Sequence, residues 1–362
     1  MDKHRICVYA IAKNEEKFAA RWAESMSEAD EIVVLDTGSS DRTAEILSTF
    51  PKVTVHSAEI SPWRFDTARN LSLSLVSADA DYCVCTDLDE VFEKGWRQAL
   101  EKALASGPDS VSYRYTWSFN EDKTENTVFN IEKIHRRHGF LWTHPVHEVL
   151  KYTREGTPFT VFAENLRLYH YPDSKKSREQ YLPLLELSVK ENPKDDRNMH
   201  YLGREYMFHR RYSEAIEVFG RHLSLKSATW ADERCASMRY TARCLCHLNK
   251  PSAAFLWYLR ACTEAPHLRE PFVEAAQFLY ERKSWHGVIF FCEKALEITK
   301  HTDTYITDSA TWREKPYDLL SIAYYYVGDV KKALENAEKA LSYVPENERI
   351  RGNASFFISQ IK

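Results

Sequence analysis

The chain has 362 residues, enough for two domains of ordinary size, each with its own core. Its 49 Lys and Arg against 53 Asp and Glu leave a formal net charge of −4, which excludes the broad basic surface of a non-specific nucleic-acid binder. No window of about 18 apolar residues occurs, so no transmembrane helix is expected. The opening residues show no charged segment followed by an apolar one, so no secretory signal is expected and a cytoplasmic location is. None of the eight cysteines forms a Cys-x-x-Cys pair. Cys7, Cys83, Cys85 and Cys292 lie in apolar stretches, as small buried hydrophobes of a reducing compartment do.

In chain order, the first half alternates strand and helix. A strand over Arg5–Ile11 precedes a helix over Glu15–Met26, then a strand over Glu31–Asp36 and a helix over Arg42–Phe50. A strand over Lys52–Ser57, a helix over Phe65–Leu75 and a strand over Asp81–Thr86 follow. This alternation predicts βαβ units and a mostly parallel sheet, whose right-handed crossovers bring the carboxyl ends of the strands to one edge. From about residue 110 to 172 the pattern becomes strand-like: Ser110–Trp117, Val128–His135 and Phe159–Tyr171. These runs read as the mixed, partly antiparallel end of the same domain.

The second half, from about Lys175, is helical with few glycines, and it repeats. Gly203, Tyr206, Ala215 and Phe219 align with Ala242, Leu245, Ala254, Tyr258, Ala261 and Pro266. Ala276, Leu279 and Ala295 form a third, degenerate set, and Tyr317, Tyr324, Gly328, Ala333, Ala340 and Pro345 a fourth. Starts near residues 196, 235, 269 and 314 give spacings of 39, 34 and 45, around the tetratricopeptide period of 34. Small residues let paired helices approach, aromatics fill the gaps between pairs, and proline ends the second helix. An irregular helical domain is the competing reading.

The chemistry concentrates where strands end. Tyr82 to Thr86 is apolar and runs into Asp87-Leu88-Asp89-Glu90, two carboxylates at i and i+2 on the sheet edge where open α/β folds place ligands. Such hard oxygen donors suit Mg²⁺ or Mn²⁺, which can hold a diphosphate; a solvated acidic turn is the bland alternative. Asp36 ends the second strand, Gly38 permits a tight turn, and Ser40 or Asp41 can cap the next helix. A carboxylate there can accept a pyrimidine N3–H, although the segment also reads as a well-made turn. Arg69, one turn into a helix, could reach a diphosphate or simply face solvent. His144-Pro145-Val146-His147 is not a zinc-protease helix, because Pro145 breaks it.

Taken together, Ala12-Lys13-Asn14-Glu15-Glu16, Asp36-Thr37-Gly38-Ser39-Ser40-Asp41-Arg42-Thr43, Phe65-x-x-Ala68-Arg69-Asn70 and Asp87-Leu88-Asp89 resemble the family-2 glycosyltransferases of the GT-A fold, over about residues 4–172. With its helical tail, the chain further resembles the bacterial branch that includes sublancin-type peptide S-glycosyltransferases, through Val146-His147-Glu148 and Tyr169-His170. The resemblance implies an α/β GT-A domain with a Rossmann-like mixed sheet over residues 1–174 and an all-α tetratricopeptide-like domain over 175–362. Asn14, Glu16, Gly38 and Ser39 would then line the nucleotide pocket, Asp36 would face the uracil edge, and Arg69 would sit near the diphosphate. Asp87 would approach ribose or metal, Asp89 would be the main metal ligand, and His170 a third ligand or phosphate contact. Leu88 departs from the family's usual alanine, at little cost, since the middle side chain points away.

The expected function is a metal-dependent inverting transferase. It would move a hexose from a UDP-sugar to a macromolecular acceptor, with Mn²⁺ or Mg²⁺ and with Glu148, or else His147, as base. The resemblance favours a peptide acceptor; a cell-envelope glycan or a nucleic-acid base also fits. The alternative is an interaction protein whose repeats bind a peptide beside a catalytically inactive transferase-like domain. Exposed repeat ends could pair two copies as a homodimer.

Overall fold

The computed structural model describes residues 4–120, 122–173 and 180–361. The chain divides into two compact units, residues 1–188 and 189–362; the expected boundary between residues 174 and 175 lies outside the described residues.

The first unit runs β1 (Ile6–Ala12), α1 (Glu16–Ser25), β2 (Glu31–Asp36), α2 (Thr43–Leu47), β3 (Val53–Ser57), α3 (Phe65–Ser74) and β4 (Tyr82–Cys85). It continues β5 (Glu90–Phe92), α4 (Trp96–Leu104), β6 (Ser110–Phe119), β7 (Glu125–Arg136), β8 (Phe140–Thr143), β9 (Val149–Tyr152) and β10 (Thr160–His170). Eight strands form one sheet in the order β3-β2-β1-β4-β7-β6-β10-β5, and β8 and β9 form a separate hairpin. The four strands of the βαβ half pair in parallel, while β7 is antiparallel to both β4 and β6. The sheet is therefore mixed, as the sequence predicts.

Burial explains why these segments take these forms. Ile6, Cys7, Val8, Tyr9 and Ala10 are all sealed from solvent, because β1 lies mid-sheet with both faces covered. Phe18, Ala19, Trp22 and Ala23 make the inner stripe of α1, and the Trp22 indole N–H donates to Thr86 Oγ1 at 3.0 Å. A buried polar chain crosses the sheet. Trp142 Nε1–H donates to Tyr9 Oη at 2.8 Å, the Tyr9 hydroxyl to His135 Nε2 at 2.9 Å, and His135 Nδ1–H to the Arg136 carbonyl at 2.7 Å. Every member is satisfied with His135 neutral, and burial pushes its pKa down to about 4.

After α5 (Tyr181–Glu191), the second unit is helical: α6 (Asp196–Phe208), α7 (Tyr212–Ser224), α8 (Ala231–His247), α9 (Pro251–Glu264), α10 (Glu270–Tyr280) and α11 (Trp285–Glu297). Then come α12 (Ser309–Trp312), α13 (Lys315–Tyr326), α14 (Val330–Tyr343) and α15 (Glu348–Gln360). Packing pairs α6 with α7, α8 with α9, α10 with α11 and α13 with α14, so the four repeats exist. The small positions are buried as expected: Ala215, Ala242, Ala254, Ala261, Ala276, Ala295, Ala323, Ala333 and Ala340 all have no exposure. A Cβ on Gly203 would fall 2.5 Å from Phe219 Cε1, so only glycine permits this helix crossing. The third repeat is a proper pair despite its degenerate sequence. Gly287 supplies its close approach, since a Cβ there would lie 2.7 Å from Leu279 Cδ1. The long third spacing is filled by residues 298–314, including α12. All eight cysteines are unpaired, and all but Cys246 are buried. Among the described residues, no helix is long and apolar enough to cross a membrane.

Candidate active site

The carboxyl ends of β2, β1 and β4 lie side by side, and the loops leaving them are laced together. Asn14, at φ 56°, accepts at Oδ1 from the Ser40 amide (2.8 Å), and its own amide donates to Ser39 Oγ (2.9 Å). Glu16 accepts at Oε2 from the Arg42 amide (3.0 Å), while the Glu16 amide donates to Asp41 Oδ2 (3.1 Å). Asn14, Glu16 and Ser39 thus hold the shape of the β1–α1 and β2–α2 loops. Between those loops sits Asp36. Its Oδ1 accepts from the Gly38 and Ser39 amides at 2.8 and 2.7 Å, a turn that Gly38 closes at φ +101°. Its Oδ2 is buried and has no partner. An orphaned buried carboxylate oxygen costs about 1–3 kcal/mol or more, and a ligand's N–H would repay it.

Arg69 projects from α3 into a nest of acids. Its guanidinium is 4% exposed, donates from Nη2 to Asp87 Oδ1 at 2.8 Å and from Nε to Glu148 Oε1, and lies 5.2 Å from the Trp142 ring centroid. A second cation, Lys133 on β7, reaches Asp87 Oδ2 at 3.2 Å and Glu90 Oε1 at 3.1 Å. Glu90 is 1% exposed and also accepts from the Tyr115 hydroxyl at 2.7 Å and the Asp87 amide at 2.8 Å. Burial disfavours the Asp87 carboxylate, but Arg69 and Lys133 outweigh it and hold the group well below the usual carboxylate range. For Glu90 burial prevails, and its pKa is raised despite Lys133.

Asp89 faces His170 at the end of β10, with Oδ2 3.4 Å from Nε2. The His170 Nδ1–H donates to the Trp117 carbonyl at 2.9 Å, and the imidazole lies on the Trp117 indole with ring centroids 4.3 Å apart and planes 19° apart. That hydrogen bond turns Nε2 toward Asp89. Burial favours the neutral ring, but Asp89 and the Trp117 carbonyl outweigh it, so the His170 pKa is raised.

Among the described residues, no group of three or more His, Cys, Asp and Glu side chains is arranged to hold a metal ion. Asp89 and His170 supply two adjoining donors, which fits Mg²⁺ or Mn²⁺ completed by phosphate oxygens and water. Asp87, expected as a ribose or metal contact, instead has each oxygen engaged by a cation. Arg69, expected at the diphosphate, is committed to Asp87 and Glu148. The β8–β9 loop carries both base candidates to different neighbours: Glu148 lies on Arg69, while the His147 ring (φ 51°) stacks 5.8 Å from Tyr181. Lys133, Glu90 and Tyr115 belong to the cluster yet are missing from the sequence reading. Glu90 adjoins the acidic pair and was the available signal, whereas a pairing irregularity of β7 between Ile131 and Ile134 breaks the alternation that would have placed Lys133.

Comparison with known proteins finds likenesses for both halves of the chain. Residues 7–164 match the family model described as glycosyl transferase family 2. The lipopolysaccharide core biosynthesis glycosyltransferase LpsC of Rhizobium meliloti strain 1021 is 28% identical over 114 residues, 30% of this chain and 40% of that protein. The match thus spans less than half of that relative's length. Among solved structures, YrrB, a TPR protein with an unusual peptide-binding site, is 17% identical and covers 48% of this chain and 81% of its own, at a TM-score of 0.36. TTC0263, a thermophilic TPR protein in Thermus thermophilus, is 15% identical, covering 49% and 89%, at a TM-score of 0.34. Likenesses this distant leave the repeat architecture resting on the helix pairs themselves.

Proposed function

We propose that the chain is a metal-dependent, inverting glycosyltransferase that moves a hexose from a UDP-sugar to a macromolecular acceptor. The observation that carries the reading is Asp36: an unpartnered, buried carboxylate oxygen at the strand-end edge of a family-2 transferase domain. It stands two strands from Asp87, roughly 10 Å by ordinary strand spacing, a reach that suits a nucleoside diphosphate lying across β1. Asp36 Oδ2 would take the uracil N3–H. Asp87, steadied by Arg69 and Lys133, retains lone pairs for ribose hydroxyls, because a carboxylate offers about four acceptor positions.

Asp89 and His170 Nε2 would hold a divalent cation, whose Lewis acidity would offset charge growing on the departing diphosphate. Inversion requires an acceptor nucleophile on the opposite face of the sugar, and its proton needs a base within hydrogen-bond reach. Glu148 suits that part. Arg69 holds Oε1 and so fixes the carboxylate's orientation, while Oε2 is left for the incoming proton. His147 is the second choice. The LpsC relative is by its name an enzyme of lipopolysaccharide core synthesis, and this supports a glycan acceptor over the peptide that the motif resemblance favours.

Asp89→Asn should abolish sugar transfer from a panel of UDP-sugars, followed by mass spectrometry, while the chain stays folded, as a cooperative thermal unfolding transition would show. Near-normal transfer by that variant would overturn the assignment.

A further inference from the structure

Beside the Asp89–His170 pair, the first unit displays aromatic rings in a place where a packed protein has no use for them. On β6, Tyr113 and Tyr115 are buried, at 0% and 3% exposure, whereas Trp117, next on the same strand face, is 47% exposed. β6 is an interior strand, between β7 and β10, and Trp117 stands where its pairing with β7 is irregular, between the Thr116–Val128 and Ser118–Thr127 pairs. One face of the Trp117 indole is covered by His170, and Tyr115 lies 6.1 Å away at a tilt. One step further, Phe119 and Tyr171 stack nearly parallel, with centroids 5.3 Å and planes 8° apart, and Tyr171 is 39% exposed. The Arg21 guanidinium sits 4.7 Å from the Tyr171 ring centroid and makes no hydrogen bond among the described residues.

We propose that Trp117 and Tyr171 form an acceptor subsite for a pyranose ring, adjoining the reaction centre. This inference rests on the transferase reading above and names its acceptor class. The chemistry selects a sugar. A pyranose presents a flat apolar C–H face, which an open indole or phenol face covers, and a rim of hydroxyls, which a free guanidinium and a tyrosine hydroxyl can bind. An apolar peptide side chain would instead ask for a concave pocket. Position agrees as well: His170 stacks on Trp117 and holds Nε2 3.4 Å from Asp89 Oδ2, and the Tyr171 amide donates to the Asp89 carbonyl at 2.8 Å, so each ring is one contact from Asp89. Tyr171 with Arg21 would take a second sugar unit beyond the one on Trp117.

The test uses the full-length protein with Mn²⁺ and UDP. Saturation-transfer NMR would follow methyl glycosides of glucose, galactose and N-acetylglucosamine, and calorimetry would follow UDP. At least one glycoside should bind the wild type, and Trp117→Ala should weaken it about tenfold, the worth of one aromatic stacking contact. Tyr171→Ala should weaken the disaccharide methyl lactoside more than the monosaccharides. Phe162→Ala, which removes an exposed ring toward the other end of β10, should change nothing. The UDP dissociation constant should move less than twofold in Trp117→Ala, because the backbone carbonyl that holds His170 remains. If Trp117→Ala weakens UDP and glycoside equally, the indole only props His170 and the proposal fails. It also fails if no glycoside binds, or if a Ser- and Cys-containing peptide alone shows Trp117-dependent binding. A wild type that binds no UDP would sink the transferase reading itself, so the two failures are distinguishable.

Discussion

A single proton separates the folded and unfolded forms of His135. The imidazole is locked neutral between the Tyr9 hydroxyl and the Arg136 carbonyl, and its pKa is pushed down to about 4 from an unfolded value near 6.5. The unfolded chain therefore binds the proton first as pH falls. Stability is full above pH 6.5 and declines from there toward pH 4, at up to about 1.4 kcal/mol per pH unit. His200, buried in the second unit and held well below its usual value by burial, acts with the same sign. His170 acts oppositely: its raised pKa gives stability below 6.5 that is lost as pH rises through the folded value. Being in the same unit as His135, it offsets part of that unit's decline. Carboxylates with lowered values, such as Glu233 at about 2, join only below about pH 4.5. Thermal unfolding at pH 7.5, 6.5 and 5.5 should show a falling midpoint over the last interval, and His135→Asn should flatten it for the first unit. A midpoint that does not move would mean the core admits the charged ring.

Among the elements, the α6–α7 crossing shows what one missing carbon decides. Gly203→Ala would drive a Cβ to 2.5 Å from Phe219 Cε1, and overpacking of this kind costs about 1–3 kcal/mol. Gly352→Ala, in α15 with no atom within 4 Å of the new Cβ, should stabilise by about 0.5–1 kcal/mol. Urea midpoints of the two variants should move in opposite directions. The same element-level logic explains what could be read beforehand. Strands such as β1 and β2 and helices such as α1 were legible because their apolar spacing is local. The repeats were legible because Ala215, Ala242 and Ala333 recur. Gly287 escaped because it stands where the other repeats carry different residues. β5 escaped because three residues hold no periodicity, and the β8–β9 hairpin because its turn depends on left-handed His144 and His147 rather than on glycine. Of the site, strand-end Asp36, Asp87 and Asp89 were visible. The Lys133 clasp was not, since β7 meets β4 only through pairing across some fifty residues of chain.

For the whole molecule, the two units ask whether catalysis and acceptor handling can be separated. Solenoids of paired helices offer extended surfaces to large ligands, and the first unit holds every residue assigned to the sugar donor. Deleting residues 196 onward should impair transfer to a macromolecular acceptor more than hydrolysis of the donor, measured on one preparation. Equal losses would make the helices merely structural. The eight unpaired cysteines, seven of them buried, have a practical use. Burial raises the thiol pKa values at Cys7, Cys83, Cys235 and Cys292, so little thiolate is present and access is blocked. A colourimetric disulfide reagent added to the native enzyme should modify Cys246 promptly and the other seven only as the chain opens. Because Cys7, Cys83 and Cys85 lie in one unit and Cys235, Cys244, Cys262 and Cys292 in the other, peptide mapping of quenched samples would time the breathing of each half without an added label.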